Sequence, residues 1–199
     1  MDGYFCQSTG KEKTYHNPYY EYNGMNYLTC YVGDLELTIS QCMYIYRAVR
    51  HDSPELMMKL GDFKINMDTN GCVTYMFFEN FDETTRQTYM NKCFDTFKDI
   101  CRIISSTYSS IDVSDPQQNY GFYEDTGYHN KQNKVRIAKV IHDYLVLNNT
   151  YHESSVPNLD QTMYPALSRG GDTPVCTSYG HAFQWCCQKF GINCGVVTG

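Results

Sequence analysis

The stretch "DTPVCTSYGHAFQWCCQKFGINCGVVTG" places a thiol, Cys176, where a loop gives way to a helical pattern. A helix N-terminus exposes unpaired backbone N–H groups and the positive end of the helix macrodipole, which biases a cysteine there toward the thiolate that attacks carbonyls. The same N–H groups can hold the oxyanion that forms when a thiolate adds to an amide. Nucleophile activation and transition-state stabilisation thus coincide at one residue. The missing part is a base. His181 lies five residues along the same helix, about 140° round from Cys176 and more than a turn away, so it is not expected to reach the sulfur. His142 and Asp143 are adjacent, and adjacent helical residues diverge by about 100°, so they are not expected to orient one another as base and acid. His129 and His152 fall in loop-like stretches, with nothing that ties either to Cys176.

The other cysteines point elsewhere. Cys186, Cys187 and Cys194, with Cys176, could be imagined as a thiolate cluster, but the chain holds no Cys-x-x-Cys pair and adjacent helical cysteines diverge, so no metal and no cofactor is expected. A disulfide from Cys186 or Cys187 to Cys194 requires an oxidising compartment. Asn148-Asn149-Thr150 fits a glycosylation pattern and reads as a helix end.

The chain has 199 residues, enough for one substantial core. Sixteen basic and 22 acidic residues give a formal net charge of −6 without a long run of either sign, so nucleic acid is not the expected partner. The 19 tyrosines fit amphipathic packing at a core rim, and most of the ten cysteines read as small buried hydrophobes. The N-terminus lacks a basic patch followed by an apolar run, and no segment approaches about 20 uninterrupted apolar residues, so neither a signal peptide nor a membrane span is expected. As written, the chain would reside in a reducing cytosol; as an excised piece of a secreted protein it would be extracellular.

Three regions position Cys176. Residues 1–33, rich in Tyr, Asn and Gly, read as an irregular lead-in. Residues 34–125 carry a helix over "DLELTISQCMYIYRAVRHD", stopped by Pro54, then a hairpin in which "DFKINM" and "CVTYMFF" flank "DTNG", then a long helix. In that helix Met90, Cys93, Phe94, Phe97, Ile100, Cys101 and Ile104 recur at three and four residues as one buried face. A polar, turn-rich linker follows. Residues 126–199 resume helical spacing through Val135, Ala138, Ile141 and Leu145. The final helix begins near Cys176, runs through Tyr179, Phe183, Cys187 and Phe190, and ends at Gly191; "INCGVVTG" reads as a short buried strand.

The segment Val175, Cys176, Thr177, Ser178, Tyr179, Gly180, His181, Ala182, Phe183 resembles the nucleophile motif of the transglutaminase-like superfamily. "IHDYL" at Ile141–Leu145 and Asn149–Tyr151 resemble the family's preceding helix and its exit, and "YRAVRHDSPEL" with the hairpin is similar to the leader of bacterial members. The likeness spans most of residues 36–199, and Ser178 departs from it, since glycine is usual there and a side chain would narrow the approach to the thiol. The resemblance implies an α+β, papain-like fold in which Cys176 heads a helix packed on an antiparallel sheet. It implies acyl transfer: Cys176 attacks a glutamine carboxamide or peptide amide, and an amine or water resolves the thioester. The family's histidine base and orienting aspartate lie a few dozen residues beyond the cysteine, outside this chain, which would leave the 199 residues alone inactive and their C-terminal sheet incomplete. In the family the His142–Asp143 pair is structural. A protein or peptide substrate is the implied partner, and the single C-terminal strand would leave an edge open to self-association. The alternative is a non-catalytic interaction module of the same fold.

Overall fold

The computed structural model describes residues 19–22, 25–58, 60–80, 83–113, 131–151, 159, 161–169 and 174–197. The expected linker and both loop histidines, His129 and His152, lie outside the described residues. The chain mixes helix and sheet in two compact units, one of residues 1–49 with 59–81, the other of residues 50–58 with 82–199. The lead-in and the central hairpin fall in the first unit, and the long helix falls with the C-terminal region in the second.

The first unit is built on a four-stranded antiparallel sheet of order β1-β2-β4-β3, from β1 (Tyr19–Tyr22), β2 (Met25–Tyr31), β3 (Leu60–Met67) and β4 (Val73–Asn80). The described part of the lead-in, from Tyr19 on, is therefore largely strand. Tyr22 pairs with Met25 across two residues, Asn23-Gly24, a second Asn-Gly hairpin signal in tyrosine-rich, strand-favouring sequence. In the β3–β4 hairpin the Asp68 carboxylate accepts the N–H groups of Asn70 and Cys72, each at 2.9 Å, and Gly71 takes φ +82° where a Cβ would be strained. Helix α1 (Ile39–Asp52) starts later than expected, at a capping box: Thr38 Oγ1 accepts the Gln41 N–H while Gln41 Oε1 accepts the Thr38 N–H. Its Cys42 and Tyr46 join Val32, Val73 and Met76 in a small core, with Tyr46 stacked on Phe78 at 5.7 Å.

The second unit is helical. Pro54, the expected stop for α1, opens the one-turn α2 (Pro54–Met57). Helix α3 (Glu83–Thr107) buries Cys93, Phe94, Phe97, Ile100, Cys101 and Ile104, the face its periodicity predicts. Helix α4 (Lys131–Asn148) buries Ile141 and Leu145 as expected, but its first turns depart from expectation: Val135 is 63% exposed, and Ile137 and Val140 complete the buried face. Asn149 caps α4 by donating to Leu145 O and also to Ala166 O of α5 (Tyr164–Leu167), so the glycosylation-like sequence is a helix end.

Helix α6 (Cys176–Lys189) closes the unit. It ends at Gly191, φ +62°, where the Gly191 N–H donates to Gln188 O and the Ile192 N–H to Cys187 O, a Schellman motif. Within the helical unit α2, α4 and α5 surround α6, and Phe97 of α3 meets Trp185 edge-on at 5.5 Å and Phe190 at 5.1 Å. The described part of the expected C-terminal strand, residues 192–197, carries no ladder, and Val197 is 94% exposed. An extended apolar run becomes a strand only beside a partner, and here its backbone contacts go to α6. Ile137→Ala should destabilise the helical unit by about 2–5 kcal/mol while Val135→Ala changes it by less than about 0.5 kcal/mol, read from urea unfolding followed by the fluorescence of Trp185, the sole tryptophan.

Candidate active site

Cys176 is the first residue of α6, as the sequence predicts, and it is exposed. Val175 precedes it in extended geometry, φ −97° and ψ 176°, and supplies no side-chain cap; the first turn holds no acidic residue. The positive end of α6 is thus left without a carboxylate in its own first turn, a setting in which the first-turn N–H groups can receive an oxyanion. The sulfur's near polar neighbour is Thr177 Oγ1, at 3.9 Å. Pro174 and Val175 are buried and anchor the entry to the helix. Two open grooves run along α3 and α4, of about 580 Å³ and 270 Å³, and Cys176 borders neither.

The exposed face of α6 is a stripe headed by Cys176 and continued by half-buried Tyr179 and Phe183, at spacings of three and seven residues. Ser178 points the other way and is fully buried, so it does not narrow the approach to the thiol. The remaining thiols differ sharply. Cys93, Cys101, Cys186 and Cys187 are buried. Burial pushes Cys101 up to about 12 and Cys93, Cys186 and Cys187 well above the ordinary thiol range, so none of these four ionises near neutrality.

No histidine among the described residues reaches Cys176. His181 is buried, its Nδ1 3.2 Å from Gln184 Oε1, and its ring stacks on His51 at 5.6 Å and 16°. Because Gln184 Nε2 donates to His51 O at 2.5 Å, Oε1 faces the ring, which makes His181 the Nδ1–H tautomer. His181 Nε2 and His51 Nδ1 are buried without a hydrogen-bond partner. His51 is the residue that sequence reasoning missed, 130 positions from its ring partner and signalled by no local pattern. The His142–Asp143 expectation is corrected in part. His142 Nδ1 lies 3.1 Å from Asp143 Oδ1, because exposed side chains on successive residues can fold toward each other once Lys139 fixes the carboxylate from the turn before. That ion pair, then the His142 contact, holds the Asp143 carboxyl below its usual range. The pair lies on the surface, with His142 66% exposed, and is not a buried structural element.

No known protein family, curated protein or solved structure matches the chain. Among the described residues no group of three or more His, Cys, Asp or Glu side chains could hold a metal ion, and no helix is long and apolar enough to cross a membrane.

Burial, then the neighbouring His51 and Arg50, lowers the proton affinity of His181, against an opposing contribution from Gln184. An unfolded histidine takes up its proton near pH 6.5, so the unfolded chain gains protons that the folded one refuses as pH falls below that value. The stability of the helical unit is therefore full above about pH 6.5 and declines on acidification until the lower folded value is passed. Urea midpoints between pH 7.5 and 5 should show this decline, and His181→Leu, which removes the titrating ring at similar volume, should flatten it.

Proposed function

We propose that Cys176 is the nucleophile of a transglutaminase-like acyl transfer acting on glutamine or peptide amides. The observation that carries this reading is the exposed thiol on the first residue of an otherwise buried helix, with no carboxylate in the first turn. The sulfur adds to the amide carbonyl carbon, backbone N–H groups of the first turn hold the oxyanion, the C–N bond breaks, and the amine leaves with a proton. Water or a second amine then takes the acyl group from the thioester. The histidine base and its aspartate are contributed by structure beyond the described residues, in keeping with the resemblance. The papain-like arrangement belongs to the same proposal: strands carrying that base would stand against the half-open Cys176–Tyr179–Phe183 face of α6.

A second reading, a non-catalytic interaction module, is favoured by the absence of any described histidine at hydrogen-bonding distance from the sulfur. One experiment separates the two. An activated ester such as p-nitrophenyl acetate should acetylate the native protein at Cys176 faster than it acetylates a short unstructured peptide of the same sequence. The adduct should be released by hydroxylamine and lost in Cys176→Ala. Acetylation no faster than that of the peptide would leave the module as the surviving account, and an adduct retained in Cys176→Ala would remove Cys176 from either.

A further inference from the structure

We propose that Cys187 and Cys194 form an oxidisable pair, a disulfide site through which a disulfide-class oxidant such as oxidised glutathione clamps residues 192–197 onto α6. The inference stands apart from the role of Cys176. Three contacts fold the C-terminal segment back along the helix. The Ile192 N–H donates to Cys187 O at 2.9 Å, Gln184 Nε2 lies 3.4 Å from Cys194 O, and the methyls of Val196 lie 3.5 and 3.6 Å from where a Cβ on Gly180 would be. Cys194 consequently lies over the ridge of α6 between Gln184 and Cys187, and both cysteines pack into one apolar cluster. The two thiols also perturb one another's proton affinity, in keeping with this placement side by side.

The geometry also selects between the two adjacent cysteines. Cys186, about 100° round the helix, is fully buried toward Cys93 and Cys101 and faces away from Cys194. Accessibility orders the chemistry. Burial raises both thiols, but Cys194 is only half-buried whereas Cys187 is fully buried, so Cys194 is the one an oxidant in solution meets first. The Cys194 thiolate attacks one sulfur of oxidised glutathione, forming a mixed disulfide and expelling glutathione thiolate, which takes up a proton. Cys187 then attacks the Cys194 sulfur as its thiol proton passes to the departing glutathione sulfur, so the second glutathione leaves as the thiol and no free Cys187 thiolate has to form. Two protein thiols are oxidised and one glutathione disulfide is reduced to two thiols. With Cys187 fixed in α6 beside Cys194, the second step is intramolecular and needs no large movement. The product would hold the segment whose Val196 lies against Gly180, one turn beyond Cys176.

The whole 199-residue protein, treated with oxidised glutathione and digested with trypsin without reduction, tests this. The expected product is a disulfide between peptide 170–189 and peptide 190–199, with fragmentation placing the bond at Cys187. Hydrogen exchange at residues 194–197 should slow on oxidation and recover on reduction, and Cys187→Ala should abolish the linked peptide while leaving a glutathione adduct on Cys194. A bond at Cys186 or Cys176, or a wild-type protein that retains glutathione on Cys194 with no internal link, would overturn the proposal.

Discussion

The burial of α6 on nearly every side is the constraint from which the rest follows. Ala182, Trp185, Cys186, Cys187 and Phe190 are within 2% of full burial, packed against residues of α3, α4 and α5. A close-packed interior of this kind holds a helix in one position, because shifting it would open voids along its whole length. The head of the helix is thereby fixed while Cys176 itself remains in solvent. The polar contacts along α6 add direction to that packing. Gln184 and Gln188 donate to His51 O and Asp52 O at the end of α1, and Trp185 Nε1 and Lys189 Nζ both meet Glu55 Oε1 at 2.7 Å. Four side chains over six positions thus tie α6 to the short run 51–55.

A rigid helix with one exposed thiol at its positive end is economical chemistry. In the proposed reaction the attacking sulfur and the N–H groups that would receive negative charge are set by the same backbone, so no side chain would have to be brought up for the oxyanion. Contrast among the thiols supplies selectivity. Buried cysteines on α3 and α6 are kept protonated by desolvation, whereas the thiol at the helix head meets solvent directly.

Local signals in the sequence were legible where short-range physics decides the outcome. The Asp68–Gly71 turn, the stop at Pro54, the apolar stripe of α3, the start of α6 at Cys176 and its end at Gly191 all rest on residues within a few positions of one another. At the start of α4 the sequence does not decide between Val135 and Ile137, which are equally apolar, and only the packing of Ile137 beside Val140 and Ile141 shows which lies inside. The first hairpin was passed over because its tyrosines lack a clean apolar alternation, although Asn23-Gly24 marked the turn. What covers α6 was not legible at all. A half-apolar helix can be buried by a sheet or by other helices, and the stacking of His51 on His181 joins positions 130 residues apart.

Alkylation of each thiol by iodoacetamide, in the native protein and again in urea, tests the central claim most directly. Cys176 should react in the native state at least as fast as it does in urea, while Cys93, Cys101, Cys186 and Cys187 react only after unfolding. Protection of Cys176 in the native state, alongside those four, would contradict the account.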